Sequence, residues 1–169
     1  MTKQLPADID SFRYKHNACP ESYTWTLQNC TSMQDVWDKA PPEWLVWVAT
    51  RPGVLDEQAL RKFACWCARQ VWHLLEDERS KNAVEIAERF VNGEATAGEL
   101  AAANAAAWAA SRGTRDASWR ESSSARAAAY SADDNTRTAW LAASAASSAG
   151  VAMTAQAQWL RENATPNFT

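Results

Sequence analysis

Side chains able to do chemistry concentrate in one short stretch: the thiols of Cys65-Trp66-Cys67, followed by Arg69, Trp72 and His73. A thiol beside a guanidinium can ionise below its ordinary range and become a nucleophile. On a helix Arg69 lies one turn from Cys65 and could do this, whereas His73 is rotated away and makes a poor base for it. Cys67 falls on the apolar side and reads as a buried structural thiol. Thiols two residues apart on a helix point about 200° apart, so the pair cannot easily grip one ion. His16, Cys19 and Cys30 form another conceivable ligand set, but their spacing matches no standard zinc site. Glu76-Asp77-Glu78 reads better as a solvated helix end than as a carboxylate site. The sequence contains no glycine-rich phosphate loop, no HExxH and no Gly-x-Ser-x-Gly elbow. No catalytic residue, metal or cofactor is therefore expected.

The elements that must carry these residues are helical. Asp56 is a good N-cap, with Leu55 and Leu60 placed as a hydrophobic staple. Leu60, Phe63, Ala64, Cys67, Ala68, Val71, Leu74 and Leu75 then share one stripe of a helix of about 20 residues. Trp66 and His73 lie off that stripe, with Lys62 and Arg69 nearby, and Trp72 lies on its other flank. Ser32 caps a short helix stopped at Pro41-Pro42, and the second proline opens a helix bearing Trp44, Leu45, Trp47 and Val48. A further amphipathic helix runs through Ala83 to Val91 and stops at Asn92-Gly93. Thr96-Ala97-Gly98-Glu99 is a capping box that opens an alanine-rich half. There Trp108, Trp119, Tyr130 and Leu141 recur at intervals of about eleven residues, almost three helical turns, and would line one stripe. Helices are expected at 97–111, 115–131 and 135–161, with indoles filling the space between alanine faces. Residues 1–31 show no helical period. Tyr23, Trp25 and Leu27 alternate with Thr24 and Thr26, which suggests an extended arm laid over the helices.

The expected fold is thus all-α: one domain, a bundle of six or seven helices with an irregular N-terminal arm. Its segments are the arm at 1–31, mixed-core helices at 32–93 and alanine- and tryptophan-rich helices at 94–169. Composition agrees, with 47% hydrophobic and 22% charged residues, ten tryptophans and only five glycines. The net charge of -3 argues against a nucleic-acid binder. Arg112, Arg115, Arg120, Arg126 and Arg137 interleave with Trp119 and Tyr130, but Asp116, Glu121, Asp133 and Asp134 weaken that field, which reads as a solvated face. The uncharged run from Thr138 to Leu160 is long enough to span a bilayer but too rich in serine, threonine and glutamine. The N-terminus has no apolar run of signal-peptide length, so a cytoplasmic protein with reduced thiols is expected.

Part of the chain resembles a known family. The stretch Asn82-Ala83-Val84-Glu85-Ile86-Ala87-Glu88-Arg89-Phe90-Val91-Asn92-Gly93-Glu94 is similar to the alanine-rich immunity proteins of bacterial toxin–immunity systems, which have relatives in phages and prophages. So are Glu99-Leu100-Ala101-Ala102-Ala103 and Ala105-Ala106-Ala107-Trp108-Ala109-Ala110, with Leu60-Arg61-Lys62-Phe63-Ala64 and Arg69-Gln70-Val71 upstream. The likeness runs from about Leu55 onward and carries no catalytic motif. It implies a small helical protein that binds and blocks another protein, a toxin or a defence-system component. The expected function is accordingly a non-enzymatic immunity-type inhibitor, contacting its partner through Trp66, Arg69 and His73. Tryptophan beside arginine is typical interface composition. The alternative is a small-ligand binder, such as a sponge for a nucleotide signal, in which tryptophan and arginine meet in a cleft between helices. An enzyme is a third and weaker reading. The small-residue surface Ala142, Ala143, Ala145, Ala146, Ala149, Gly150 and Ala152 also allows a homodimer.

Overall fold

The computed structural model describes residues 6–113, 123, 127–128 and 134–168. Among the described residues there are nine α-helices, one 3-10 turn and no strand. The all-α class is as expected, but the helix count exceeds six or seven, for two reasons.

First, the N-terminal arm is helical. It folds into α1 (Ala7–His16) and α2 (Pro20–Asn29). Pro6 and Pro20 stand at the helix starts, where a missing N–H is harmless. Asp8 and Asp10 in the first turn of α1, and Arg13, Lys15 and His16 in its last, complement the helix dipole. Asn17 closes α1 in the left-handed conformation, at φ 52°. The alternation that suggested a strand in α2 is deceptive because its threonines are satisfied in a helix. Thr24 and Thr26 donate their hydroxyls to the carbonyls of Pro20 and Ser22, four residues back.

Second, the helix expected over 135–161 is two. Gly150 at φ 97° ends α8 (Asn135–Ser148), and α9 (Met153–Asn163) follows after a short turn. No described helix is long and apolar enough to cross a membrane. The helix expected over 115–131 lies outside the described residues, as do Trp119 and Tyr130.

Between these ends Ser32, Asp56 and Thr96 are the caps the sequence marks, while Asp77, expected at a helix end, starts a helix instead. Ser32 Oγ accepts from Asp35 N–H to open α3 (Met33–Lys39), and Asp8 of α1 adds a carboxylate acceptor for Met33 N–H at 2.7 Å. Pro42 opens α4 (Pro42–Ala49). Asp56 accepts from Ala59 N–H at 2.6 Å to start α5 (Glu57–Gln70), which ends earlier than expected in a 3-10 turn over Trp72–Leu74. Asp77 caps α6 (Glu78–Val91). Thr96 and Glu99 close their capping box with 2.7 and 3.2 Å bonds ahead of α7 (Ala97–Gly113).

Helix α5 is the axis of the molecule, packed against α6, α8 and α9. Leu60, Phe63, Ala64 and Cys67 enter a large core shared with α3, α4, α8 and α9. On its other side Cys65 and Ala68 join a smaller core with Leu75, Ala83, Val84, Ala87 and Leu100. The division near Gly93 is therefore one of composition, and the cores cut across it. Ala139, Ala142, Ala143 and Ala146 are fully buried on one face of α8. That burial consumes much of the surface available for self-association. Trp108 and Leu141 correct another expectation: they are exposed rather than filling space between helices.

Close approach of α8 to the core leaves no room for larger side chains. Ala143→Leu should destabilise the protein by about 1–3 kcal/mol, the usual penalty for overpacking. Thermal denaturation followed by circular dichroism should show a melting point lower by several degrees. The same change at Ala101, exposed on α7, should leave it nearly unchanged.

Candidate functional site

The face singled out on α5 is only partly available to a partner. Trp66 is half-buried, stacked on Phe63 at 6.3 Å and on Trp159 of α9 at 5.9 Å. Its ring contributes to the main core, which a helical wheel drawn for α5 alone does not reveal. Arg69 forms a two-pronged pair with Glu88 of α6, at 2.7 and 2.6 Å, and its guanidinium lies 3.9 Å over the Trp72 ring. His73 is exposed on the 3-10 turn. Trp66 and Arg69 share a shallow groove of about 390 Å3 with Lys62, Cys65 and Glu88, and His73 is not part of its lining.

The candidate nucleophile is poorly placed for chemistry. Cys65 is 4% exposed, and burial pushes its thiol up to about 12. The Glu88 carboxylate reinforces the shift, while Arg61 and Arg69 oppose it. Cys67 is raised well above the ordinary thiol range by the same burial. Of the other conceivable ligand set, Cys30 is buried, Cys19 is exposed and the His16 ring lies tilted against Phe12 at 4.5 Å. Among the described residues no three His, Cys, Asp or Glu side chains cluster to hold a metal ion. Asp77 caps α6 and pairs with Arg79, while Glu78 pairs with Lys81 at 2.7 Å. Their role is that of a solvated helix start. The side chains of Arg112, Arg115, Arg120 and Arg126 lie outside the described residues. Arg137 is exposed in the first turn of α8.

The best-formed site lies where the sequence suggested only an arm. Helices α1 to α4, with the start of α8, enclose a cleft of about 310 Å3. Its walls are Phe12, Tyr23, Trp25, Trp44, Trp47 and Trp140, over a floor that includes Ile9, Met33 and Val48. The rings hold one another in place. Trp25 meets Trp44 edge-on at 5.6 Å, and Phe12 meets Trp47 edge-on at 6.2 Å. From behind, the C-terminal Phe168 packs edge-on against both Phe12 and Trp37, and Asn167 N–H bonds the Val54 carbonyl at 2.7 Å.

Charge around this cleft is uneven. Arg13 stands in the lining with its guanidinium 4.3 Å from the Tyr23 ring centroid. Arg51 lies over the rings of Trp47 and Trp140, at 4.8 and 5.9 Å, without joining the lining. The one carboxylate in the lining is Glu43, exposed in the first turn of α4. Sequence reasoning missed the cleft because a helical α1 and α2 are needed to make it. The signals present were Pro6 and Pro20, each followed closely by acidic residues.

No family model, curated protein or solved structure matches the chain.

Burial orders the thiols. Iodoacetamide at pH 8 should modify Cys19 in the folded protein and spare Cys30, Cys65 and Cys67 until denaturant is added, as peptide mass mapping would show. The α5 face should also divide on substitution. Trp66→Ala removes a ring from a three-ring stack and should destabilise the fold by about 2 kcal/mol. Arg69→Ala with His73→Ala should change the melting point less, because His73 is exposed and the Arg69–Glu88 pair is partly solvated and worth little net stability.

Proposed function

We propose that this chain is a non-enzymatic binding protein of the immunity type, one that blocks a protein target in the cytoplasm by contact. The observation that carries the proposal is the aromatic cleft between α1 and α4, where Trp25, Trp44 and Trp47 are left half-buried beside the exposed Trp140. Rings held rigidly around a partly open apolar cavity lose little freedom on binding and gain much by being covered. That is hot-spot character. The groove beside Trp66 and Arg69 is a second contact area, with His73 beyond its edge. The resemblance of residues from Leu55 onward to alanine-rich immunity proteins points to the same class. It leaves the cleft unexplained, since α1 to α4 lie outside the similar stretch.

A second reading is favoured by the shape of the cleft. At about 310 Å3, walled on several sides, it is as well suited to a small molecule as to a protuberance of a protein. Tryptophan and arginine come together beside the cleft, where Arg51 lies over Trp47 of α4 and Trp140 of the alanine-rich α8.

Native mass spectrometry of the protein purified from the cells that make it separates the two readings. A stoichiometric protein partner, lost with Trp44→Ala, is the expected result. A co-purifying small mass with no protein partner would overturn the inhibitor reading in favour of the ligand-binding one.

A further inference from the structure

The chemistry of the cleft restricts what can occupy it. Six aromatic rings wall the cleft, and its volume of about 310 Å3 accommodates a fused two-ring system. Face and edge contacts with indoles favour a flat, unsaturated occupant over an aliphatic one of equal size.

Two cations bear on the space and one carboxylate does. Arg13 is in the lining, and among the described residues its ionic contact is a long one, 3.8 Å to Asp10, with both side chains partly exposed. Its guanidinium donates no hydrogen bond of ordinary length to any described residue, so its donors are open to a ligand. Arg51 lies over two of the wall rings. It donates to the Trp47 carbonyl at 3.1 Å and to Thr50 Oγ1, and among the described residues it has no carboxylate within ion-pair distance. A cationic ligand seated against Trp47 and Trp140 would meet Arg13 in the lining and Arg51 over the same rings. Within the lining only the exposed Glu43 would compensate, Asp10 lying outside it at 3.8 Å from Arg13. An anion meets the reverse balance.

We propose that the cleft between α1, α2, α4 and the start of α8 is a binding site for a small planar aromatic anion, its ring system held among Tyr23, Trp44, Trp47 and Trp140 and its negative group directed to Arg13. The inference rests on the second reading above, that the cleft receives a small molecule.

Three probes of one shape test it on the full chain: 2-naphthoate, neutral 2-naphthalenemethanol and the protonated amine 2-naphthylmethylammonium, each titrated by calorimetry. 2-Naphthoate should bind with one-to-one stoichiometry, about tenfold more tightly than the ammonium, as expected when one charge-assisted contact is gained and one like-charge contact avoided. Arg13→Gln should bring the two within about threefold of each other, and Trp140→Ala should weaken naphthoate about tenfold. Trp140 is exposed and Arg13 partly so, and melting curves of these variants should stay close to that of the parent; a second variant, Trp44→Phe, keeps the test usable if one of them does not fold. Equal or tighter binding of the ammonium, still dependent on Trp140, overturns the anionic class while the small-ligand reading stands. Failure of all three probes to saturate at millimolar concentration overturns the site and that reading together. So does binding that is indifferent to Trp140 and Trp44.

Discussion

Everything else in this molecule depends on a helix that is buried on two sides at once. Helix α5 gives Phe63, Ala64 and Cys67 to one core and Cys65 and Ala68 to the other, each nearly or wholly inaccessible. A helix so enclosed cannot have bulky neighbours on every side, because the interaxial distance follows from the side chains at the contact. The buried alanines of α8 meet that constraint on one side, and Ala83 and Ala87 of α6 meet it on the other. Alanine contributes little apolar area per residue, so the close approach must be compensated by large residues elsewhere. Phe63, Leu45, Leu60 and Leu160, all below 2% exposure, fill that role in the main core.

The aromatic cleft is a consequence of how the rest of the large residues are distributed. Helices α1 to α4 have only 7 to 10 residues each, and they carry Trp25, Trp37, Trp44 and Trp47. Helices of only two or three turns cannot cover all these rings as a long helix–helix interface would. Trp37 reaches the interior at 3% exposure, while the other three stay half-covered and face a common space. Edge-on contacts and the guanidiniums of Arg13 and Arg51 keep that space from collapsing. The cavity is thereby preorganised, because the rings are fixed by one another before any occupant arrives.

How much of this was legible in the sequence depended on the kind of signal. Caps act locally, and Ser32, Asp56 and Thr96 all stand where a helix starts, whereas Asp77, read as part of a helix end, caps the start of α6. The apolar stripe of α5 was also legible, since burial follows the helical period. Two kinds of information were not. In α2 the alternation of aromatic and threonine residues mimics a strand, and only the hydroxyl bonds back to Pro20 and Ser22 reveal why the helix tolerates it. For Trp66, periodicity measured position on α5 alone and could not register that α9 brings Trp159 against it. A site built from four consecutive short helices and Trp140 of a distant one leaves no single spacing to read.

Alanine surfaces raise a further problem, which is register. A face of methyl groups fits another at many offsets, so packing alone does not select one arrangement. Here the selection comes from polar side chains that reach backbone groups far away in sequence. Arg161 of α9 donates to the carbonyls of Trp37 and Ala40 at the end of α3, 124 and 121 residues distant. Gln156, fully buried, donates to the Ala143 carbonyl and to Ser147 Oγ, fixing α9 against α8. Arg61, at 2% exposure, donates to the Ala128 carbonyl at 3.1 Å while lying 5.6 Å from the Phe90 ring. Each bond satisfies a group that would be costly to bury unpaired, and each is made at one offset only. The desolvation of an arginine means such bonds add modest net stability. Their larger effect is to make one arrangement of near-featureless helices distinguishable from its neighbours, and that arrangement places Trp140 of α8 against the cleft formed by α1 to α4.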